Sequence, residues 1–288
     1  MIEQALLNAI RLVPPGTRGK RRVASRLMAR RLNTEGEAEI ASPWGRFHVP
    51  SLREAVAEAL LLDGVYEPDV LRLLVRCVRP GHTFIDVGAN VGCFTVPMAR
   101  HVGPGGRVLA VEASPGVFSY LARNIVANEI GNATLVGAAA TDRDGGDVTF
   151  FSAPDDRFGM GTLTPIFKDT PQTVPSRTLD ALVTEHGLER VDAIKVDVEG
   201  HEETVFRGAS AMLTADPAPV VVFEFLDWAE HYATGRPGGA QEVLMDLGYA
   251  LWRLRDYPSR RTPLARPIVE GGAMLVACRS RSPSDTPS

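Results

Sequence analysis

The stretch FIDVGANVGCF, residues 84–94, reads as a buried strand that ends in an acid and turns through glycines into a helix. Gly88 and Gly92 allow the backbone to turn sharply and a ligand to come close. The helix that follows offers free backbone N–H groups at its first turn. The stretch therefore predicts a strand, a ligand-binding turn and a helix, which together open a nucleotide-binding α/β sheet.

From residue 65 onward, short apolar runs alternate with helical patterns, which is the rhythm of βαβ units around a parallel sheet. Seven runs predict strands at residues 83–87, 107–113, 133–139, 192–198, 219–225, 249–254 and 273–278. Only a loop rich in proline and arginine separates the last two, so we expect them to form an antiparallel hairpin. The predicted fold class is α/β, with a seven-stranded, mostly parallel sheet and helices on both faces.

Three segments lie outside this rhythm. Residues 1–63 predict an N-terminal layer of helical and extended structure, ahead of a main domain at residues 64–280. Within that domain, residues 141–180 have β-like runs and several glycines but no good helix, so we expect a β-rich insertion at the edge or top of the sheet. Long irregular segments of this kind are usually lids or binding loops. The polar residues 281–288 are expected to form a disordered tail.

Composition narrows the class of protein. The chain has 288 residues, 44% of them hydrophobic, and a formal net charge of −4, which offers no global attraction to nucleic acid or to an anionic membrane. No apolar run approaches the ~20 residues that span a bilayer. We therefore expect a small-molecule partner, with no nucleic acid and no membrane. The sequence carries no signal for the oligomeric state.

The cysteines and the basic N-terminal segment indicate the cellular compartment. Three scattered cysteines suit neither a disulfide framework nor a CxxC metal site, and an odd number suits a reducing compartment. The first 31 residues are basic, but no apolar segment or cleavage site of a secretory signal follows them. We expect a cytoplasmic protein whose basic segment is a solvated helix face rather than a membrane or RNA arm.

Asp86, Gly88, Asn90 and Gly92 form the pattern D-x-G-x-N-x-G between the first strand and its helix. A dinucleotide fold carries G-x-G-x-x-G here to seat a pyrophosphate, which the carboxylate of Asp86 would repel. Glu112 ends the next strand, where an acid grips ribose hydroxyls in such folds. Together they predict a nucleoside with a positive charge, a description that S-adenosylmethionine fits. NAD is the main alternative ligand, and a helix cap is the alternative role for Asp86.

Four stretches of the chain resemble the FkbM-type methyltransferases, a branch of the class I S-adenosylmethionine-dependent enzymes. They are FIDVGANVGCFT, VEASPGVFSYLARNIVANE, RTLDAL and DAIKVDVEGHEETVFRGA, and the likeness covers about residues 64–278. The resemblance implies a Rossmann-like sheet in the strand order 3-2-1-4-5-7-6 and bound S-adenosylmethionine. It also implies methyl transfer, usually to a hydroxyl on a sugar, polyketide or other natural product.

This resemblance implies that residues 64–280 form an S-adenosylmethionine-binding methyltransferase domain. The stretch GVYEPDV, residues 64–70, resembles the short acidic motif that precedes the glycine turn in the family. By that likeness Glu67 is expected near the cofactor. The identity of the acceptor is not implied.

The stretch IKVDVEGHEE, residues 194–203, carries an unusual amount of charge for a central strand. Alternation along the strand puts Lys195, Asp197 and Glu199 on one side. Because a central parallel strand is normally apolar on both faces, Lys195 needs a carboxylate partner, for which Asp86 and Asp197 are the candidates.

Methyl transfer to a hydroxyl also needs a base, because the oxygen loses its proton as the new bond forms. His201 is the first candidate, since the positive end of the following helix would keep its ring neutral and able to accept a proton. Glu199 and Asp197 are the alternative bases. The other interpretation of His201 is a helix cap or a solvent-facing ring.

A different interpretation makes Asp197, Glu199 and Glu224 ligands of a divalent cation that would hold and acidify the acceptor hydroxyl. No spacing signature demands a metal, and we favour a site without one. Two further alternatives are a nicotinamide-dependent oxidoreductase, which shares the sheet and Glu112, and a non-catalytic cofactor-binding module.

Overall fold

The structure is a computed structural model that describes residues 2–167, 171–257 and 262–279. The N-terminal part combines helices with one hairpin. Its elements are α1 (Ile2–Leu12), α2 (Lys20–Leu27), α3 (Ala29–Leu32), β1 (Ala38–Ser42), β2 (Gly45–Val49), α4 (Ala55–Leu62) and α5 (Pro68–Cys77). The predicted tail, residues 281–288, lies outside the described residues.

The rest of the described chain alternates strands and helices. Its elements are β3 (Thr83–Val87), α6 (Thr95–Val102), β4 (Arg107–Glu112), α7 (Pro115–Ala127), β5 (Ala133–Gly137), β6 (Ala139–Ala140), β7 (Asp147–Phe151), β8 (Pro171–Arg177), α8 (Leu179–Glu185), β9 (Ala193–Val196), α9 (Glu202–Arg207), α10 (Ser210–Thr214), β10 (Val220–Leu226), α11 (Asp227–Thr234), α12 (Gly239–Asp246), β11 (Ala250–Arg253) and β12 (Gly272–Cys278). None of these described helices combines the length and the apolar character needed to cross a bilayer.

Seven strands form one sheet in the order β5–β4–β3–β9–β10–β12–β11. Counted along the chain, this is the order 3-2-1-4-5-7-6 that the resemblance implied, and the fold is Rossmann-like. β12 is antiparallel to both β10 and β11, so the prediction of a terminal hairpin is confirmed. The strand order reverses between β3 and β9, where Asp86 lies beside Lys195 in register. Such a reversal is where open α/β sheets bind ligands.

The two faces of the sheet have separate hydrophobic cores. One face, which carries Phe84 and Val222, packs against α4 to α7 and the N-terminal hairpin; the other packs against α8, α9, α10 and α12. Ile40 and Phe47 of the hairpin are fully buried in the first core, and each such side chain stabilises the fold by roughly 1.5–3 kcal/mol. The N-terminal layer therefore shares a core with the main sheet, on the face to which Asp86 and Lys195 belong by alternation.

Residues 141–180 contain β7, β8 and a short 3₁₀ helix at Asp155–Met160. β8 pairs with β7 and with β6, which lies just ahead of the segment, and the three strands form a small sheet. Four strands of the main sheet end earlier than predicted, at Glu112, Gly137, Val196 and Arg253. At Glu112 and Val196 the chain leaves the sheet and turns into loops that line the cavity described next. The early ends thus mark the functional edge of the sheet.

Candidate functional site

A cavity of about 270 Å³ opens at the carboxyl ends of β3, β4, β9 and β10. The N-terminal layer contributes Glu54, Ala55 and Val56 to its wall, and the insertion contributes residues 158–163. The sheet edge is therefore covered from two sides by segments remote in sequence. Gly88, Asn90, Glu112, Asp197, Glu199, His201 and Glu224, all predicted from the sequence, line this one cavity.

The glycine turn after β3 is shaped by its neighbours. Gly88 has φ 74, and a Cβ at this position would lie 1.8 Å from the carbonyl oxygen of Asp197. Glycine is thus required there for the close approach of the loop after β9. At Gly92, with φ 92, a Cβ would lie 3.0 Å from Leu121 Cδ1, and Gly92 does not line the cavity, so its predicted cofactor contact is not supported.

Glu112 is held by the same turn. Its two carboxylate oxygens accept the backbone N–H groups of Asn90, at 2.9 Å, and Ser114, at 2.8 Å. Burial raises the pKa of Glu112 to about 7, against the lowering effect of these two donors. Each oxygen can accept a second hydrogen bond, so Glu112 remains able to bind hydroxyl groups in the cavity.

Lys195 is the buried cation of the site. It is 2% exposed, its Nζ lies 2.9 Å from Asp197 Oδ2, and it stands 4.8 Å from the centre of the Phe94 ring. Burial alone would lower the pKa of Lys195, but Asp197, Asp86 and Glu67 raise it, and the net shift is upward. The predicted need for a carboxylate partner is met by Asp197.

Asp86 lies behind the cavity wall. Its Oδ2 accepts a hydrogen bond from Thr95 Oγ1 at 2.6 Å, and its Oδ1 has no partner among the described residues. Burial raises the pKa of Asp86, while Lys195 lowers it. The predicted direct contact between Asp86 and a cationic ligand is not supported, because the carboxylate is fully buried against α6 and lines no part of the cavity. Asp86 acts on the site through the charge of Lys195.

Glu67 has a similar place at the start of α5. Its neighbour Tyr66 lines the cavity, whereas Glu67 does not. Its Oε2 is buried with no partner among the described residues, and burial raises its pKa to about 7. Glu67 therefore lies near Lys195 and helps to raise its pKa, and its predicted place next to the cofactor stays a prediction.

Asp197, Glu199 and Glu224 form an acidic cluster in the cavity. One oxygen of each lies within 4.8 Å of the others. Burial, and then the neighbouring carboxylates, raise the pKa of Glu199 to about 8 and that of Glu224 to about 9. Since Lys195 is paired with only one of the three, the ionised cluster carries surplus negative charge and favours a cation.

Backbone strain is concentrated at this site. Among the described residues, four that are not glycine have positive φ, and three of them belong to the site: Glu67 at 42°, Asn90 at 52° and Glu199 at 55°. A left-handed residue of this kind costs about 1 kcal/mol or more. The strained residues thus lie where the loops after the strands converge.

His201 precedes α9 and lines the cavity. Its Nε2 lies 3.0 Å from Thr164 Oγ1 of the insertion, and burial lowers its pKa to about 4. The ring is therefore neutral at pH 7, as predicted, but burial rather than the helix end is the cause. Thr162, in the same segment, donates a hydrogen bond to the carbonyl oxygen of Glu199 at 3.3 Å. Two threonines thus tie the insertion to the loop after β9.

Glu54 is a site residue that sequence reasoning missed. It caps α4 by accepting the N–H groups of Val56, at 2.6 Å, and Ala57, at 3.3 Å, and it lines the cavity. Burial raises its pKa. Its position just before a helical pattern signals a cap, but nothing local to residues 50–60 indicates that this cap faces a cavity built by β3, β9 and β10.

We expect the thermal stability of the ligand-free protein to fall as the pH rises from about 6 to 9. The folded-state pKa values of Glu199 and Glu224, about 8 and about 9, lie above those of an unfolded chain. The folded state therefore holds more protons, and stability present at low pH is lost as the pH passes through the folded values. His201, whose pKa is lowered, opposes this only below about pH 6.5.

The measurement is the melting temperature between pH 5.5 and pH 9.5. Glu224→Gln removes one titrating group and should flatten the decline, with roughly 2–4 °C gained at pH 9 for each kcal/mol of relieved repulsion. The matched control is Glu39→Gln, at an exposed position on β1, which should follow the wild-type curve. A wild-type melting temperature that rises steadily from pH 6 to pH 9 would contradict the assignment.

Comparison with known proteins gives a family and several relatives. The model of a family described as "Methyltransferase FkbM domain" matches residues 86–246, more than half of the chain. The hexuronic acid methyltransferase AglP of Haloferax volcanii is 27% identical over 176 residues, which are 61% of this chain and 69% of that protein. The methyltransferase sdnD of Sordaria araneosa is 29% identical over 163 residues, which are 45% of this chain and 61% of that protein.

Among solved structures, an S-adenosylmethionine-dependent O-methyltransferase of Thermotoga maritima has 13% identity and a TM-score of 0.43, over 85% of this chain and 86% of that one. A fibrillarin of Aeropyrum pernix with natively bound S-adenosylmethionine has 17% identity and a TM-score of 0.41, over 72% of this chain and 73% of that one. Neither likeness bears on the substrate of this chain.

Proposed function

The chain belongs to the methyltransferase FkbM family and is an S-adenosylmethionine-dependent methyltransferase, and we propose that it methylates a hydroxyl group of a small molecule. The observation that carries the proposal is the acidic cavity at the carboxyl ends of the central strands. Five carboxyl groups and the imidazole of His201 line it, and among the described residues the only cation that forms an ion pair with any of them is the buried Lys195. The membership of a methyltransferase family leaves the oxidoreductase alternative without support.

The residues of the cavity fit S-adenosylmethionine by charge and polarity. The cofactor is cationic at its sulfonium and ammonium groups, and the cluster of Asp197, Glu199 and Glu224 favours a cation. Glu112 retains acceptor capacity for hydroxyls. Gly88 and Asn90 give the turn its shape at the cavity wall. When bound, the cofactor supplies a methyl group that the sulfonium has already activated.

The chain must then position the acceptor hydroxyl and remove its proton. We propose His201 as the base, because its neutral ring lines the cavity and Thr164 fixes its orientation. A ring with a pKa of about 4 is a weak base, yet it suffices when the proton leaves late. The oxygen that is gaining a methyl group becomes a far stronger acid than an imidazolium, so the proton passes to the ring as the bond forms.

Glu199 and Asp197 are weaker candidates for the base. Because the pKa of Glu199 is about 8, this carboxyl is largely protonated at pH 7 unless a cation is nearby. Asp197 accepts a hydrogen bond from Lys195 and is held as its ion-pair partner. We assign both residues primarily to the binding of positive charge.

The acceptor is proposed to be a sugar or another natural product. The name of the Haloferax relative places a hexuronic acid among the substrates of that protein, which supports a sugar acceptor here. The second candidate role of Asp197, Glu199 and Glu224 is to hold a divalent cation, favoured by the spacing of their oxygens. The two roles differ in their response to a chelator.

The test is transfer of a labelled methyl group from S-adenosylmethionine to a panel of sugars, sugar acids and polyketide alcohols, with and without EDTA. We expect a labelled ether product at rates that EDTA leaves unchanged. Loss of activity in EDTA that Mg²⁺ or Mn²⁺ restores would assign the cluster to a metal. A labelled ester or amine in place of an ether would contradict hydroxyl methylation.

A further inference from the structure

A second groove, of about 480 Å³, lies between α5 and the ends of β11 and β12. Its charge is opposite to that of the acidic cavity. The charged residues that line it are Arg72, Arg76, Arg253, Arg255 and Asp69. We call it the arginine groove.

The positive charge of this groove is only partly balanced. Asp69 pairs with Arg72 on α5, and Arg255 Nε lies 3.7 Å from Asp256 Oδ2. Across the part of the chain that the structure describes, no carboxylate oxygen forms an ion pair with Arg76 or Arg253. Guanidinium groups gathered without counter-charges repel one another, and an oxyanion bound between them would relieve that repulsion.

The arginine groove and the acidic cavity are lined by neighbouring strands, although no residue lines both. In the pairing of β10 with β12, Glu224 of the cavity lies opposite Met274 of the groove, and Leu226 lies opposite Gly272. Neighbouring strands are only about 4.8 Å apart. The two sites therefore border each other across this strand pair.

We propose that the arginine groove binds an oxyanion, a carboxylate or a phosphate, that the methyl acceptor carries. The inference rests on the proposed function and narrows its substrate class from hydroxyl compounds in general to acidic ones, such as sugar acids and sugar phosphates. Guanidinium groups match the planar and tetrahedral oxygens of these anions, often with two parallel hydrogen bonds.

The opposite charges of the two sites would also orient the acceptor. The carboxyl groups of Asp197, Glu199 and Glu224 offer an anionic group no free counter-charge in the acidic cavity, whereas the arginines attract it to the groove next to it. The neutral, hydroxyl-bearing end is then the part that enters the cavity, where His201 lines the wall. Charge alone thus selects one end of the molecule for methylation.

The first arm of the test measures binding without turnover. Inorganic pyrophosphate is titrated calorimetrically into the full-length wild-type protein, the double variant Arg76→Ala/Arg253→Ala and the control Arg46→Ala. Arg46 is an exposed arginine on β2 that lines neither site. We expect the double variant to bind about tenfold more weakly or not at all, and the control to match the wild type. Equal affinity in the wild type and the double variant, or no binding to the wild type, would overturn the proposal.

The second arm asks whether the anion belongs to the acceptor. Methyl transfer to glucuronate is compared with transfer to glucose. We expect a lower KM for glucuronate in the wild type, a rise of about tenfold in that KM in the double variant, and no change in kcat or in the glucose reaction. Equal use of both sugars, together with arginine-dependent pyrophosphate binding, would mean that the groove serves a separate anion and would overturn the acceptor role.

The two arms also separate this inference from the proposed function. If neither these sugars nor any other alcohol is methylated, the proposed function fails and the acceptor role fails with it. The pyrophosphate titration would still show whether the groove is an oxyanion site, because it needs no methyl transfer.

Discussion

Gly88→Ala is expected to lower the free energy of unfolding by about 3 kcal/mol or more and to abolish binding of S-adenosylmethionine. The new methyl group would lie 1.8 Å from the carbonyl oxygen of Asp197, a contact that only backbone movement can relieve. The turn after β3 and the loop after β9 would have to separate. Urea unfolding and calorimetric titration with the cofactor measure the two effects.

Gly145→Ala is the matched control for this prediction. Gly145 has φ 83, close to the φ 74 of Gly88, but a Cβ there would meet nothing within 4 Å. It should therefore show only the conformational cost of a left-handed alanine, about 1–2 kcal/mol, with unchanged cofactor binding. The account is contradicted if the two variants lose equal stability, or if Gly88→Ala binds the cofactor normally.

His201→Ala is expected to reduce kcat by a factor of about 10² to 10⁴ while leaving the affinity for S-adenosylmethionine unchanged. The side chain removed is the proposed proton acceptor and carries no charge at pH 7, since burial lowers its pKa to about 4. For the same reason, His201 should stay neutral from pH 7 down to about pH 5, and its ionisation should not change the wild-type kcat in this range. Below about pH 5, protonation of His201 should lower kcat. Steady-state kinetics with the best acceptor, and a pH profile, measure both.

Two further variants separate the base from its surroundings. Thr164→Val removes the hydroxyl next to His201 Nε2 but keeps the ring, so it should cost far less than His201→Ala. Glu199→Gln should weaken cofactor binding more than it lowers kcat. If His201→Ala retains a rate within a few-fold of the wild type and Glu199→Gln loses it, the base is Glu199.

Much of the fold could be predicted because its signals are local. Seven apolar runs with helices between them predicted the sheet, and the charged stretch at 194–203 predicted that Lys195 needs a carboxylate partner. The residues of the loop after β9 line the cavity because this loop begins at the carboxyl end of a central strand, where the cavity opens. Local sequence specifies which strand end a side chain follows.

It was harder to predict which side chains reach the cavity and which are packed beneath its wall. Asp86 and Gly92 follow the pattern of ligand contacts, yet one packs under α6 and the other against Leu121, because helix packing decides what faces the cavity. Glu54 reaches the site from the N-terminal layer, and Thr164 reaches it from the insertion at residues 141–180. The arginine groove is lined by both Arg76 and Arg253, which are far apart in the sequence, and no pattern of neighbouring residues can reveal this.

The most direct test of the central claim is a calorimetric titration of the ligand-free protein at pH 8 with S-adenosylmethionine, S-adenosylhomocysteine and NAD. If the acidic cavity holds a cationic nucleoside, one S-adenosylmethionine binds per chain, more tightly than S-adenosylhomocysteine, which lacks the sulfonium charge, and NAD does not bind. Asp197→Asn should reduce that preference. No heat with S-adenosylmethionine, or equal affinity for NAD, would contradict it.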